Sequence, residues 1–308
     1  MPSIRRAINY LLCNPKQFVD SLIKNFGFLF SDKLYLSLRF RCRMGYWLNW
    51  SHPTTFNEKL QWLKIYNRNP VYTQLVDKYE VKQYVANKIG DKYVAKLLGV
   101  WDFPELIDFA SLPDKFVLKT THGGGNTGVV ICKDKAKLDK GKTLKLLSLA
   151  MKSNIYREWC EWPYKNVKRR IIAEEYLEDA ETKGLIDYKF FCFNGKVRAL
   201  FVATERQTRS EPYFNFFDGN YNSLDITQGH PQSQVLPSKP FKFEEMKALA
   251  EKLSQGFPHV RVDFYEANNN VYFGEFTFFH FAGVVRFSPN EWDYTFGNWL
   301  ELPIKNKN

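Results

Sequence analysis

Along the first hundred residues the apolar positions recur at helical spacing. Residues 53–64 show this most clearly: Thr55 and Glu58 have the spacing of a capping box, and Phe56, Leu60 and Leu63 then fall on one face. A second amphipathic stretch runs from about 77 to 90, with Tyr79, Val81, Tyr84 and Val85 as its apolar set. From about residue 115 the period shortens. Residues 116–119 and 128–132 are short β-rich runs flanking a glycine cluster, and 171–177 reads as a buried strand carrying two adjacent carboxylates. Residues 187–193 and 196–204 form a hairpin across Asn194-Gly195, and 259–265 and 271–277 form another across 267–270. With helices at 142–152 and 243–253 and no internal repeat, the pattern predicts an α+β protein with antiparallel sheets. The expected organisation is a mainly helical region over 1–105, a small lobe with the glycine loop over 106–180, and a large lobe over 181–308.

Composition narrows the partners more than the fold. The chain has 44 Lys+Arg against 33 Asp+Glu, a net charge of +11. Such an excess suits a polyanion: nucleic acid, an anionic membrane face, or a phosphorylated or carboxylated substrate. The basic residues are scattered, and the densest run, 165–170, lies in no recognisable nucleic-acid module, so nucleic acid is not an expected partner. Five cysteines without a C-x-x-C pair point to free thiols in a reducing compartment, hence a cytoplasmic protein. Lys16, Asp20 and Lys24 interrupt the apolar N-terminal stretch, which reads as neither a signal peptide nor a span. Arg5, Arg6, Lys16 and Lys24 around Leu11, Leu12, Phe18, Leu22 and Ile23 fit either a helix lying on the inner membrane face or one packed on the protein's own core.

The stretch His122-Gly123-Gly124-Gly125-Asn126-Thr127-Gly128 is the most informative in the chain, because glycines let a main chain approach a phosphate and present N–H groups to it. A P-loop would need Lys after Gly128, where Val129 stands. The dinucleotide fingerprint is matched in spacing, but a helix should begin there and residues 129–132 are strand-like. What remains is a glycine loop between antiparallel strands, with Lys119 on the incoming one. Further on, Asp263 and Glu275 lie in the middle of apolar strands that face each other in a hairpin. Buried carboxylates need a cation: either Arg261 as a salt-bridge partner, or a hard metal such as Mg²⁺.

Taken in order, these segments resemble the TupA-like ATP-grasp family of bacterial surface-polysaccharide clusters. The resemblance runs from about Pro53 to Gly283 and also takes in Asp77-Lys78-Tyr79, Asp187-Tyr188-Lys189-Phe190 and Arg261-Val262-Asp263-Phe264. It implies ATP clasped between two α+β lobes, with Lys119 on phosphate and the loop from His122 to Gly128 over it. It further implies Glu174, Glu175, Tyr176 and Leu177 at the adenine and Asp187 at the ribose. Asp263 and Glu275 match two Mg²⁺-binding carboxylates, with Thr277 standing where most relatives carry Asn, and Arg261 matches the arginine that steadies the transferred phosphoryl group.

The implied reaction is ATP-dependent ligation of a carboxylate to an amine through an acyl phosphate, with Arg261 and Lys189 as catalytic candidates. The family setting suggests a uronic-acid carboxylate of an acidic glycan as acceptor and an amino acid or amine as donor. Arg206, Arg209, His280 and Arg286 are the candidate cations for that glycan. A glycosyltransferase would want a D-x-D motif, which neither Asp91 nor Asp218 completes. A kinase using the same fold differs only in the acceptor.

Overall fold

The computed structural model describes residues 15–125, 127–180, 185–205 and 211–304. Helices α1 (Pro15–Asn25) and α2 (Asp32–Met44) dock through a buried ion pair, Asp20 accepting from Arg39 Nε at 2.6 Å and Nη2 at 3.0 Å. Helix α3 (Phe56–Tyr66) starts where the capping box predicts: Thr55 Oγ1 accepts from Glu58 N, and the Glu58 carboxylate accepts from Thr55 N at 3.1 Å. Helices α4 (Val71–Val76) and α5 (Glu80–Ile89) follow.

A smaller sheet comes next, built from β1 (Leu97–Trp101), β2 (Phe116–Thr120), β3 (Val129–Cys132) and β4 (Ile171–Glu175) in the order β1-β4-β2-β3. Alternation along its strands sorts the two faces. Phe116, Leu118, Ile171 and Ala173 pack with Phe109, Leu112 and Leu147, the last on α6 (Lys140–Met151). Lys119 and Glu174 therefore project from the opposite face. Strand β1 falls inside the region expected to be helical. It joins this sheet because Val100 and Trp101 pair with Ile172 and Ile171.

The short helix α7 (Ile155–Trp159) leads towards β4. The larger sheet takes β5 (Ile186–Phe193), β6 (Lys196–Thr204), β7 (Tyr213–Asp218), β8 (Ser223–Leu224), β10 (His259–Ala267) and β11 (Asn270–Thr277), ordered β11-β10-β5-β6-β7-β8. Strand β9 (Thr227–Gln228) pairs separately with β12 (Phe287–Ser288). One face of the large sheet rests on α8 (Phe243–Leu253), with the Phe190 and Phe243 rings 6.0 Å apart.

On the other face, Phe191 and Phe193 pack against α3 and α9 (Glu291–Trp299): the Phe56 ring lies 6.3, 5.9 and 5.6 Å from those of Phe191, Phe193 and Phe296. Leu60 and Leu63 of α3, Leu75 of α4 and Val85 of α5 belong to this same core. The N-terminal helices from residue 56 onward are thus built into the large lobe, not set beside it. Among the described residues no helix is long and apolar enough to cross a membrane.

Candidate active site

Strand parity gathers the charges of the large sheet on one face. Asp263 is the ladder partner of both Glu275 on β11 and Lys189 on β5, while Arg261 is opposite Thr277. Residues two apart on a strand share a face, so Arg261, Asp263, Glu275, Thr277, Lys189 and Asp187 all project from the same side. The contacts follow from this placement. Arg261 donates from Nε and Nη2 to the two Asp263 oxygens, each at 2.7 Å, and its Nη2 lies 3.4 Å from Glu275 Oε1. Lys189 Nζ donates to Asp263 Oδ2 and stands 3.8 Å from Asp187 Oδ2. Burial would raise the Asp263 carboxyl, but Arg261 and Lys189 outweigh it and hold the group below the ordinary carboxylate range. The Glu275 side chain is 36% exposed, against 0% for Asp263.

A second charge group belongs to the small sheet. Glu174 Oε2 accepts from Lys119 Nζ at 2.5 Å, a diagonal pair across β2 and β4, and its Oε1 lies 2.6 Å from Lys82 Nζ on α5. Burial pushes this carboxyl up, yet the two ammonium groups hold it down at about 2. Beyond Lys119 the chain turns into the glycine loop, whose base is tight. A Cβ on Gly123 would meet Thr127 O at 2.4 Å, and one on Gly128 would meet Thr120 Oγ1 at 2.4 Å with φ at +72°. Only glycine closes the loop over Thr120 in this way.

Lys78, between α4 and α5, binds the glycine loop. Its backbone N–H donates to Thr121 O at 3.0 Å, and its ammonium donates to the carbonyl of Gly123. Burial lowers its pKa, with Lys119 adding to the shift and Glu275 and Glu174 opposing it. Tyr164 borders the same space: burial, then the charges of Glu161 and Glu275, push its hydroxyl well above the ordinary tyrosine range. Neither carries a site signature in the sequence: Asp77-Lys78-Tyr79 belongs to the family resemblance, but a lysine at a helix start has no local signature for a loop contact so far away along the chain.

Other expectations land elsewhere. His280 is 1% exposed and lies behind Arg261, accepting from its Nη1 at 2.8 Å, so it is not an open contact for a glycan. Arg286 donates from Nη2 to Met44 O at 2.5 Å and lines a cavity with Tyr46, Thr55 and Tyr294, at the N-terminal helices. Its placement does not join it to the carboxylates. Glu175 accepts from Lys96 N at 2.7 Å, and the Tyr176 hydroxyl donates to Glu178 at 3.1 Å, while Leu177 is half-buried just beyond β4. His122 is buried at the loop's start, with Nε2 3.5 Å from Ser153 Oγ. Asn126, Arg206 and Arg209 lie outside the described residues.

Asp263, Glu275 and Thr277 offer hard oxygen donors on one face of one ladder, Thr277 two rungs from the Asp263/Glu275 pair, a set that suits a small divalent cation. Among the described residues no three His, Cys, Asp or Glu side chains converge into a metal cluster. Two carboxylates suffice for Mg²⁺ when a bound phosphate completes the shell, so the residues fit a metal that arrives with its anion.

No curated protein matches the chain. Among solved structures it is similar to the ATP-grasp ligase PsnB complexed with minimal precursor, Mg and ADP, at 13% identity and a TM-score of 0.39, covering 79% of this chain and 60% of that one. It is also similar to D-alanine-D-alanine ligase from Helicobacter pylori, at 15% identity and a TM-score of 0.42, covering 80% of this chain and 69% of that one. The chain therefore spans 60% of the length of the PsnB chain it matches. The TupA-like ATPgrasp family model matches residues 58–301, a stretch that holds both sheets, the glycine loop and every charged group described between them, and the chain belongs to that family.

Proposed function

We propose that this protein is an ATP-dependent ligase that joins a carboxylate to an amine through an acyl phosphate. In the net reaction a C–N bond forms, and ATP becomes ADP and inorganic phosphate. The observation that carries the reading is a pair of charge groups, Lys78, Lys119 and the glycine loop in one and Arg261, Asp263, Glu275 and Lys189 in the other, with Lys78 under the influence of Glu275 as well as of Lys119. Cations and main-chain donors opposite paired carboxylates are what a metal-bound triphosphate needs.

In this reading Lys119, Lys78 and the loop from Gly123 to Gly128 hold the phosphates, and the segment from Glu174 to Leu177 lies at the base. Asp263, Glu275 and Thr277 would hold Mg²⁺. Mg-ATP, when bound, supplies the phosphoryl group that turns a carboxylate into a good acyl donor. Arg261 orients the acyl oxygen and offsets charge there, and its bidentate hold on Asp263 keeps the guanidinium from swinging away. Lys189 supplies a second fixed cation beside it. No side-chain nucleophile is required, because positioning and charge neutralisation supply the rate.

For the acceptor we infer a uronic-acid carboxylate on a surface polysaccharide, and for the donor an amino acid or amine. The net charge of +11 supports an acidic polymer. Cytoplasmic action, with peripheral attachment to the inner membrane face, fits such a substrate. Calorimetric titration with Mg-ATP, and separately with UDP-sugars, is the test. Mg-ATP binding, followed by ADP release that needs both a carboxylate and an amine, supports ligation. Binding of UDP-sugars alone moves the function to glycosyl transfer.

A further inference from the structure

Arg261 is held by more than its carboxylate. A guanidinium only donates, so the 2.8 Å contact between Arg261 Nη1 and His280 Nδ1 makes Nδ1 the acceptor and leaves the ring hydrogen on Nε2. That hydrogen has a partner: Gln228 Oε1 lies 3.0 Å from Nε2, and Gln228 Nε2 in turn donates to Val285 O at 3.1 Å. His280 is wedged edge-on against Phe191 at 4.9 Å between centroids, which leaves its ring little freedom. The other charged or titratable groups that face it are Lys189 and His259.

The backbone that delivers His280 is unusual. Phe281, Ala282 and Gly283 follow it with φ of 47°, 53° and 64°, three consecutive left-handed residues of which two are not glycine. Such a run persists only where its surroundings over-determine it. Here helix α3 does so. Gln61 Nε2 donates to Ala282 O at 2.9 Å and Gly283 O at 2.8 Å, and Lys64 Nζ donates to Ala282 O at 2.8 Å. One turn earlier, Asn57 Nδ2 donates to Val285 O at 3.2 Å, the carbonyl that also fixes Gln228. Asn57, Gln61 and Lys64 are each 0% exposed, so these are polar groups buried for the contacts they make.

We infer that His280 is a positioning residue for Arg261, and that the Asn57, Gln61 and Lys64 face of α3 sets it by clamping the left-handed turn. The inference rests on the ligase reading for its kinetic consequence, but the geometry stands apart from it. Two measurements keep the two separable. Imidazole ¹⁵N spectra of the full chain at neutral pH should show His280 neutral with the hydrogen on Nε2. A hydrogen on Nδ1, or an imidazolium, overturns the inference whatever the activity.

In kinetics, His280→Leu should lower kcat for Mg-ATP-dependent turnover about ten- to hundredfold while KM for ATP changes little, the loss of one hydrogen bond to a charged group. His280→Gln keeps an acceptor oxygen and should recover most of that loss. Gln228→Leu, which frees the ring hydrogen, is the second variant should His280→Leu fail to fold, and a severalfold fall in kcat is expected. Wild-type kcat in a folded His280→Leu or Gln228→Leu overturns the positioning role. A wild-type protein that turns over no nucleotide sinks the ligase reading instead, and the spectra then decide the inference alone.

Discussion

Asp263 and Glu275 are direct partners across the β10/β11 ladder, yet one is sealed beneath two cations and the other keeps its carboxylate in reach of solvent. Their substitutions should differ accordingly. Asp263→Asn strands Arg261 and Lys189 as buried, under-compensated cations and should cost about 3–5 kcal/mol. Glu275→Gln gives up a single 3.4 Å contact and should cost less than about 1 kcal/mol, while abolishing Mg²⁺-dependent turnover. Urea unfolding of the two variants checks the first part, and equal losses would contradict the asymmetry.

Glu174 makes stability depend on acid. Its folded carboxyl sits at about 2 against an ordinary 4.5, so the folded state favours the charged form. That contribution is present in full above 4.5 and is lost as pH falls through that value towards 2. It amounts to about 3 kcal/mol. Glu174→Gln should lower stability at pH 7 and flatten the acid limb of the curve. A variant whose curve merely runs parallel to wild type through that window would show that other carboxyls carry the dependence.

Lys119→Ala should leave the fold near intact, since Lys82 still holds Glu174 at 2.6 Å. Affinity for Mg-ATP should nonetheless drop about tenfold or more, the loss of one charged hydrogen bond to phosphate. Lys78→Ala should behave alike, with an added loosening of the loop whose Gly123 carbonyl it binds. Calorimetry reads both, and unchanged affinities would remove the two lysines from the phosphate site.

The glycines of the loop are not equivalent. Gly124→Ala places its Cβ 3.1 Å from the end of the Ile155 side chain, which can turn aside, so stability should change by under about 1 kcal/mol. At Gly128 a Cβ meets Thr120 and Ala150 within 2.9 Å in left-handed backbone, and Gly128→Ala should cost about 2 kcal/mol or more. Thermal melts of the pair, with nucleotide titrations alongside, test whether the tight base matters more than the open tip.

Much of this was legible before any coordinates. Thr55 and Glu58 announce α3, Asn194-Gly195 announces the β5/β6 turn, and the hairpin that brings Asp263 opposite Glu275 can be read from two apolar runs around three consecutive asparagines. Local patterns carry such information because their causes are local. What escaped depended on distant partners. Strand β1 has no alternating burial of its own and becomes a strand by pairing with β4. His280 reads as a cation for the glycan until Arg261 is placed beside it. Gln61 and Lys64 read as the wet side of an amphipathic helix, whereas both are buried on carbonyls more than two hundred residues away.

That α3 is seated against α9, more than two hundred residues further along, has a consequence for synthesis. Gly297 lies so close to it that a Cβ there would meet Thr54 O at 2.2 Å and Phe56 N at 2.9 Å. A nascent chain emerging from the ribosome must therefore carry Phe56, Leu60 and Leu63 without their final neighbours until α9 has been made. Folding of the large lobe then waits for α9 rather than proceeding lobe by lobe. Fragments stopping short of α9 would bare the aromatic surface around Phe191, Phe193 and His259, the face from which aggregation would begin.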